Sequence, residues 1–186
     1  MSFKKIWNFI WHSNSLLSWI VNVLLAFVLV KFVIFPGLGL VLQTTHPVVA
    51  VVSSSMEHDS SFDEWWTKNN AWYEANGITK EDFNTYIMKN GFNKGDIIFL
   101  KSAKEIKIGD IIVFKGNSAN PIIHRVVKIT NNIYQTKGDN NKDSFAQLGE
   151  TQITKNDVIG KALFEVPLLG WIKIWFTELI NLLGGR

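Results

Sequence analysis

The chain contains no cysteine, which excludes a cysteine nucleophile, a disulfide framework and thiolate metal ligands. It has only four histidines, and none shows the HExxH motif or another paired spacing of metal ligands, so a metallopeptidase is disfavoured. Basic residues form no stripe with interleaved aromatic residues, so no nucleic-acid partner is expected. At 186 residues, the chain has room for one domain and a membrane anchor.

Polar residues are also scarce over residues 16–35, which read LLSWIVNVLLAFVLVKFVIF. At the rise of a helix this run is about 30 Å long, enough to cross the hydrocarbon core of a bilayer. The alternative is a cleavable signal peptide, but its apolar core would be shorter, and no Ala-x-Ala cleavage site follows. The sequence therefore predicts a transmembrane signal-anchor over 16–35.

The distribution of lysines predicts how this anchor is oriented. Lys4 and Lys5 precede it, whereas residues 36–56 contain no Lys or Arg. The positive-inside rule places the N-terminus in the cytoplasm and the remainder outside. Residues 1–15 have the basic and aromatic composition of an interfacial segment. Residues 166–186 are mostly apolar, but Lys173 and Glu178 lie within the apolar run, which favours an amphipathic membrane-associated helix over a second span.

Residues 57–91 form an acidic, tryptophan-rich insert in which two short helices are predicted, over 62–76 and 79–90. Either its aromatic residues form a small core of their own, or they dock on a membrane interface or a partner.

The rest of the exported part, 36–165, is predicted to be mainly β. Short strands with turn signals indicate a closed or partly open β-barrel or sheet. The strand candidates are 96–101, 110–115, 121–130, 133–136 and 158–164.

Three segments offer chemistry. An apolar run from Pro47 ends in three serines before Met56, and His124 lies in an apolar strand with Arg125 on its opposite face. An acidic loop follows, with Asp139 and Asp143. The ordinary explanation of these residues is that the serines cap a turn, the histidine belongs to the core and the aspartates form turns. The catalytic explanation is that they supply a serine nucleophile, a histidine base and an orienting carboxylate.

The segments VVAVVSSSM, GFNKGDIIFL, IGDIIVFK, PIIHRVV, TKGDNN and DVIGKALFEVPLLGWIK occur in the order found in type I signal peptidases. The chain resembles the archaeal and endoplasmic-reticulum branch of this family (peptidase family S26), in which the general base is histidine. The resemblance covers about residues 37–176 except the insert, and it implies a signal-peptidase-like β domain.

The resemblance also implies roles for single residues. Ser55, before the methionine, corresponds to the nucleophile and His124 to the base. Ser53 and the Ser55 N–H correspond to the oxyanion hole. Asp139 matches the first aspartate of the Gly-Asp-Asn-Asn motif, and Asp143 the acid that completes the triad.

The chain departs from the family pattern at three points. Serine replaces glycine at position 54, and His58 stands where proline is usual, which makes it a rival base. Asp139 and Asp143 are also closer in sequence than the family's two acids.

The implied function is that of a single-pass cell-membrane serine endopeptidase that removes signal peptides after small residues at positions −1 and −3. Its expected partners are the signal peptides of preproteins, membrane lipid and the protein-export channel, and no metal or cofactor is expected. The alternative is a non-catalytic, membrane-tethered β-module that binds exported or envelope proteins. Self-cleaving repressors of related architecture fit less well, because they use a lysine base and carry a DNA-binding domain.

Overall fold

The computed structural model of the chain describes residues 2–171, 174, 175 and 179. The chain divides into two compact units, Met1–Gln43 and Thr44–Arg186. Most of the predicted amphipathic segment after residue 171 lies outside the described residues.

The first unit contains a long apolar helix that follows a short amphipathic one. Helix α1 spans Phe3–His12. The second helix runs without interruption from Leu16 to Leu42. Its most apolar stretch of 18 residues has a mean hydropathy of 2.5 and is not buried within the protein. By length and composition it can cross a membrane, and it continues past the predicted end of the anchor at Phe35.

This long helix changes its winding part of the way along. It consists of α2 (Leu16–Leu29), a π-helical turn (Val30–Ile34) and α3 (Phe35–Leu42). Pro36 has no N–H, and its ring crowds the carbonyl one turn earlier, which disrupts regular α-helix. In the π turn the Phe35 N–H donates to the Val30 carbonyl, so the hydrogen-bond ladder shifts just before the proline.

Two polar side chains of α2 satisfy the end of α1. The Ser18 hydroxyl donates to the Phe9 carbonyl at 2.5 Å, and the Asn22 amide donates to the Ile10 carbonyl at 2.9 Å. The last carbonyls of a helix have no partner within the helix, so these bonds cap α1. They also explain why an apolar helix carries a serine and an asparagine.

The second unit is built on one curled antiparallel sheet, so the prediction of a mainly β fold is confirmed. The strand order is β1-β2-β6-β3-β4-β5. Register shifts interrupt β2 against β6, β3 against β6, and β4 against β5, and such bulges increase the twist of a sheet. The strands are β1 (Val48–Ala50), β2 (Ile97–Lys101), β3 (Ile111–Phe114), β4 (Ile122–Thr130), β5 (Ile133–Lys137) and β6 (Val158–Val166).

Burial along the strands follows their place in the sheet. Strand β2 alternates between buried and half-buried residues, as expected where one face packs on the core. All four residues of β3 are buried, because it lies between β6 and β4 and is covered on both faces. One core cluster, around Ile98, Leu100 and Ile111, includes Met56. The residue after Ser55 is thus fixed in the core.

The insert forms two helices, α4 (Phe62–Ala75) and α5 (Lys80–Asn84). The predicted capping box is present, with reciprocal hydrogen bonds between Thr79 and Asp82. Helix α5 is shorter than predicted, because the chain turns after Asn84 and Met88 adopts a positive φ of 48°.

The aromatic residues of the insert pack together and onto the sheet. Trp65, Trp66, Tyr73 and Phe83 are all buried and share a cluster with Val127 of β4. The insert also approaches the turn before β3 closely. At Gly109, which has a φ of +91°, an added Cβ would lie 2.2 Å from the ring of Tyr86 in the insert. The insert is therefore joined to the strand that carries His124.

Candidate active site

Ser55 lies in a turn that follows β1, and the polypeptide around it is held from several sides. The Asn140 N–H donates to the Ser55 carbonyl at 2.8 Å, and the Asn140 side chain donates to the Ser54 carbonyl at 3.1 Å. The Met56 carbonyl accepts from the Phe92 N–H at 3.0 Å. These bonds fix the backbone on both sides of the serine.

The Ser55 hydroxyl contacts His124, and His124 contacts a buried glutamate. Ser55 Oγ lies 2.9 Å from His124 Nε2, although 69 residues separate them in sequence. On the other side of the ring, His124 Nδ1 is hydrogen-bonded to Glu150 Oε1. The Glu150 side chain is fully buried and that of His124 is 4% exposed. Ser55 itself is half-buried, so it is the most exposed of the three residues.

The loop before Glu150 and a hydrogen bond to strand β5 hold it in this position. Its Oε2 accepts from the Phe145 N–H at 2.6 Å, and its carbonyl accepts from the Thr136 N–H at 2.9 Å. A 3-10 turn over Ala146–Leu148 ends at Gly149, whose φ of 81° suits glycine and brings the chain back beside β5. Both carboxylate oxygens of Glu150 therefore have partners.

A second hydroxyl lies next to the first. Ser53 Oγ is 3.1 Å from Ser55 Oγ, and residue 53 is exposed. Ser53 can therefore place a hydrogen-bond donor beside any group that reacts with Ser55.

Asp139 occupies a different buried site, on the opposite face of β4. Its carboxylate accepts from Arg125 Nη2 at 2.6 Å and Nε at 3.0 Å, from Tyr73 Oη at 3.2 Å, and pairs with His58 Nε2 at 3.3 Å. Burial alone would raise the pKa of Asp139. The Arg125 guanidinium and the His58 hydrogen bond outweigh burial and hold that pKa well below its ordinary value.

Arg125 connects this carboxylate to the insert and the sheet. Its remaining donors reach the carbonyls of Ile87 at 2.8 Å, Met88 at 3.0 Å and Gly109 at 3.1 Å. Its guanidinium also lies over the Phe83 ring. Although burial opposes its charge, Asp139 more than compensates and raises the pKa of Arg125.

Chemically, Ser55, His124 and Glu150 form the arrangement of an acyl-transfer enzyme. The imidazole can take the hydroxyl proton at Nε2 while the carboxylate holds the other nitrogen and stabilises the imidazolium. Because such an arrangement recurs on unrelated folds, the geometry alone indicates the chemistry and not the family.

Comparison with known proteins identifies the family. The signal peptidase complex catalytic subunit SEC11 of Scheffersomyces stipitis is 30% identical over 157 residues, which cover 79% of this chain and 75% of that protein. The chain belongs to the signal peptidase family, in its endoplasmic-reticulum-type branch. SEC11 of Zygosaccharomyces rouxii is 28% identical over 79% of this chain and 75% of that protein. Human SEC11C is 36% identical over 49% of this chain and 53% of its own length. No protein-family model matches the chain.

The relatives confirm the family and the class of enzyme that the sequence predicts, and they do not support the alternative of a non-catalytic module. In this signal peptidase family member the structure brings together Ser53, Ser55 and His124, as predicted, but not the predicted acid. The Asp143 carboxylate accepts from Trp72 Nε1 at 2.8 Å, at the exposed rim of the insert. The carboxylate that contacts His124 is that of Glu150, because the chain returns beside β5 only after the 3-10 turn.

His58 is not placed as a rival base. Its side chain is only 1% exposed, its Nε2 faces Asp139, and its ring stacks on Trp65. It therefore belongs to the cluster around Asp139.

Sequence reasoning missed two buried residues of this signal peptidase family member. Glu150 follows Asp139 by eleven positions, and its preceding Gly149 was the available sign of a sharp return of the chain. Lys137 lies beneath the same loop, where it donates to the Gly138 carbonyl at 3.0 Å and to Tyr73 Oη at 3.3 Å. Burial lowers the pKa of Lys137 to about 8, although Asp139 acts in the opposite direction.

The lowered pKa of Asp139 leads to a prediction about acid stability. Because the folded state favours the ionised carboxylate, its contribution is complete above the ordinary pKa of 3.8 and is lost as the pH falls below that value. Replacing Asp139 by Asn leaves Arg125 buried without a counter-charge, so we expect a loss of about 3–5 kcal/mol at neutral pH.

The measurement is denaturant unfolding of both proteins in detergent over a range of pH. The difference between wild type and Asp139→Asn should narrow below about pH 4. Asp63→Asn, which changes an exposed carboxylate paired with Lys80, should behave like wild type. A difference that stays constant down to pH 2 would contradict the role given to the ionised carboxylate.

Proposed function

We propose that this protein is a membrane-bound serine endopeptidase that removes N-terminal signal peptides from exported preproteins. The observation that carries the proposal is the 2.9 Å contact of Ser55 Oγ with His124 Nε2, in a chain whose family consists of signal peptidase catalytic subunits. No metal or cofactor is part of the proposed reaction.

In the proposed mechanism His124 is the general base. It removes the proton from Ser55, and the resulting alkoxide attacks the carbonyl carbon of the peptide bond after the signal peptide. His124 then gives that proton to the departing amine, and a water molecule, activated by the same histidine, hydrolyses the acyl-enzyme. The Ser55–His124 distance lies within hydrogen-bond reach and requires no rearrangement for the first transfer.

The proposed oxyanion hole consists of the Ser53 hydroxyl and the Ser55 N–H. The position of Ser53 Oγ, 3.1 Å from the nucleophilic oxygen, supports its part. Each donor of this kind contributes about 10²–10³ in rate, since it stabilises charge that develops only in the transition state. Ser54 has neither role.

We assign the orienting carboxylate to Glu150 rather than to Asp143. Glu150 is buried and bonded to His124 Nδ1, which is the position that fixes the tautomer and stabilises the imidazolium. Asp139 acts through the structure of the loop, because Arg125, Tyr73 and His58 occupy its carboxylate.

We further propose that the helix Leu16–Leu42 is a transmembrane anchor with a cytoplasmic N-terminus. Its composition supports the span, and the lysines before it support the orientation. The catalytic unit then lies outside the cell membrane, against membrane lipid and close to the protein-export channel, where signal peptides emerge. By resemblance to the family, small residues at positions −1 and −3 direct the cleavage.

The first test of this function is the loss of the nucleophile. Ser55→Ala in the full chain, reconstituted in liposomes with a preprotein, should reduce kcat by at least about 10³-fold, because it removes the attacking oxygen. Ser54→Ala is the matched control and should keep its activity. Cleavage by Ser55→Ala at the wild-type rate would refute the proposal.

A second test separates the two candidate acids. Glu150→Gln should lower kcat by about 10²–10⁴-fold, because it removes the charge that stabilises the imidazolium. Asp143→Asn should stay within about threefold of wild type, since its carboxylate bonds to Trp72 at the surface. The reverse order of the two losses would return the role to Asp143.

The orientation can be tested because the chain has no cysteine of its own. Single cysteines at Ser2 and at the exposed Ser118 serve as labels for a maleimide that does not cross membranes. In intact cells with an accessible outer membrane face, Ser118→Cys should be labelled and Ser2→Cys only after lysis. Labelling in the opposite pattern would overturn the proposed orientation.

A further inference from the structure

A stacked pair from the insert lies against the carboxylate of Asp139. The rings of His58 and Trp65 are 3.8 Å apart between centroids and only 5° from parallel. His58 Nε2 lies 3.3 Å from Asp139 Oδ2, and Tyr73 of helix α4 donates to Asp139 Oδ1 at 3.2 Å. The family motifs and the catalytic triad leave these three contacts unexplained.

The loop of Asp139 in turn holds the backbone that presents Ser55. The Asp139 N–H points at the Met56 sulfur at 3.4 Å, and its neighbour Asn140 bonds to the carbonyls of Ser55 and Ser54. Space between the elements is small. A Cβ on Gly91 would lie 2.2 Å from the Met56 carbonyl and 2.6 Å from the His58 ring. Few contacts therefore separate the insert from the nucleophile.

We propose that His58 is a positioning residue for Ser55, and that the insert fixes the nucleophile through His58, Tyr73 and Asp139. This inference rests on the proposed function. An ionised carboxylate offers about four acceptor positions, and Arg125 has only two groups, Nε and Nη2, that donate to it. His58 and Tyr73 supply the other partners, so the carboxylate and the loop that follows it keep one orientation.

The stack on Trp65 explains why histidine suits this position. A free imidazole can rotate, whereas one packed flat against a buried indole keeps its Nε2 aimed at Asp139. A proline at this position would have no side-chain donor. The insert therefore acts as one unit with His58: Trp65 of helix α4 packs against the ring, and the ring makes the hydrogen bond to Asp139.

Two substitutions separate the two functions of the ring. His58→Phe keeps the stack on Trp65 and removes the hydrogen bond to Asp139, whereas His58→Gln keeps a donor and loses the ring. A small displacement of a nucleophile costs up to about a hundredfold in rate. We expect kcat to fall about tenfold to a hundredfold in His58→Phe with KM nearly unchanged, and His58→Gln to retain more activity than His58→Phe.

The experiment uses the full chain in liposomes with a preprotein substrate. It measures kcat, KM, the labelling rate of Ser55 by a serine-reactive probe, and the melting temperature. The labelling rate of His58→Phe should fall in proportion to kcat. The pH profile of kcat/KM should keep its shape, because His124 remains the base. Tyr73→Phe, which removes the other hydrogen-bond donor from the insert to Asp139, should lower kcat by a similar factor. In the double variant His58→Phe/Tyr73→Phe, kcat should fall by less than the product of the two single factors.

Trp72→Phe is the matched control, because it also removes one hydrogen bond between the insert and a loop carboxylate, that of Asp143. It should keep wild-type kcat. Wild-type kcat in His58→Phe, with only a lower melting temperature, would overturn the proposal, as would equal losses in His58→Phe and Trp72→Phe. Activity retained in Ser55→Ala would instead overturn the proposed function itself, so the two failures are distinguishable.

Discussion

The buried ion pair of Arg125 and Asp139 is the interaction on which the rest of the catalytic unit depends. Burying two charges is costly, and such a pair is retained only where its geometry and additional hydrogen bonds are good. Here the three guanidinium nitrogens of Arg125 donate to Asp139 and to backbone carbonyls. Those carbonyls belong to the end of the insert and to the turn before β3. One arginine thereby joins strand, insert and loop.

The insert is part of this arrangement rather than an appendage. Its aromatic side chains bury one another, as one of the two sequence-based interpretations held, but they also pack on Val127 and beneath Arg125. An acidic outer surface covers this aromatic interior. Trp65 and Trp66, two of the aromatic residues considered for docking on a membrane interface, are thus used for packing within the unit.

The sequence predicted the strands and the reactive pair better than the acid that serves it. Ser55 and His124 lie in apolar segments whose strand character restricts where they can go, and the family motifs mark them directly. Glu150 lies beyond an irregular loop, and its position depends on a 3-10 turn and on pairing beside β5. Neither the 3-10 turn nor this pairing produces a periodic pattern of apolar residues in the sequence. His58 stands out in the sequence as a departure from proline, but its partner Asp139 is identified only in three dimensions.

Strand β4 carries adjacent residues with opposite tasks, since His124 faces Ser55 and Arg125 faces Asp139. A shift of one residue along a strand exchanges its two faces. A single inserted or deleted residue near these positions would therefore exchange the faces of His124 and Arg125, and both the Ser55 site and the Asp139 site would be lost. Changes in length are better absorbed by the hairpin turn at Asn131 and Asn132, where both residues already adopt positive φ angles. The number of residues in this strand is therefore as constrained as the identity of His124 and Arg125.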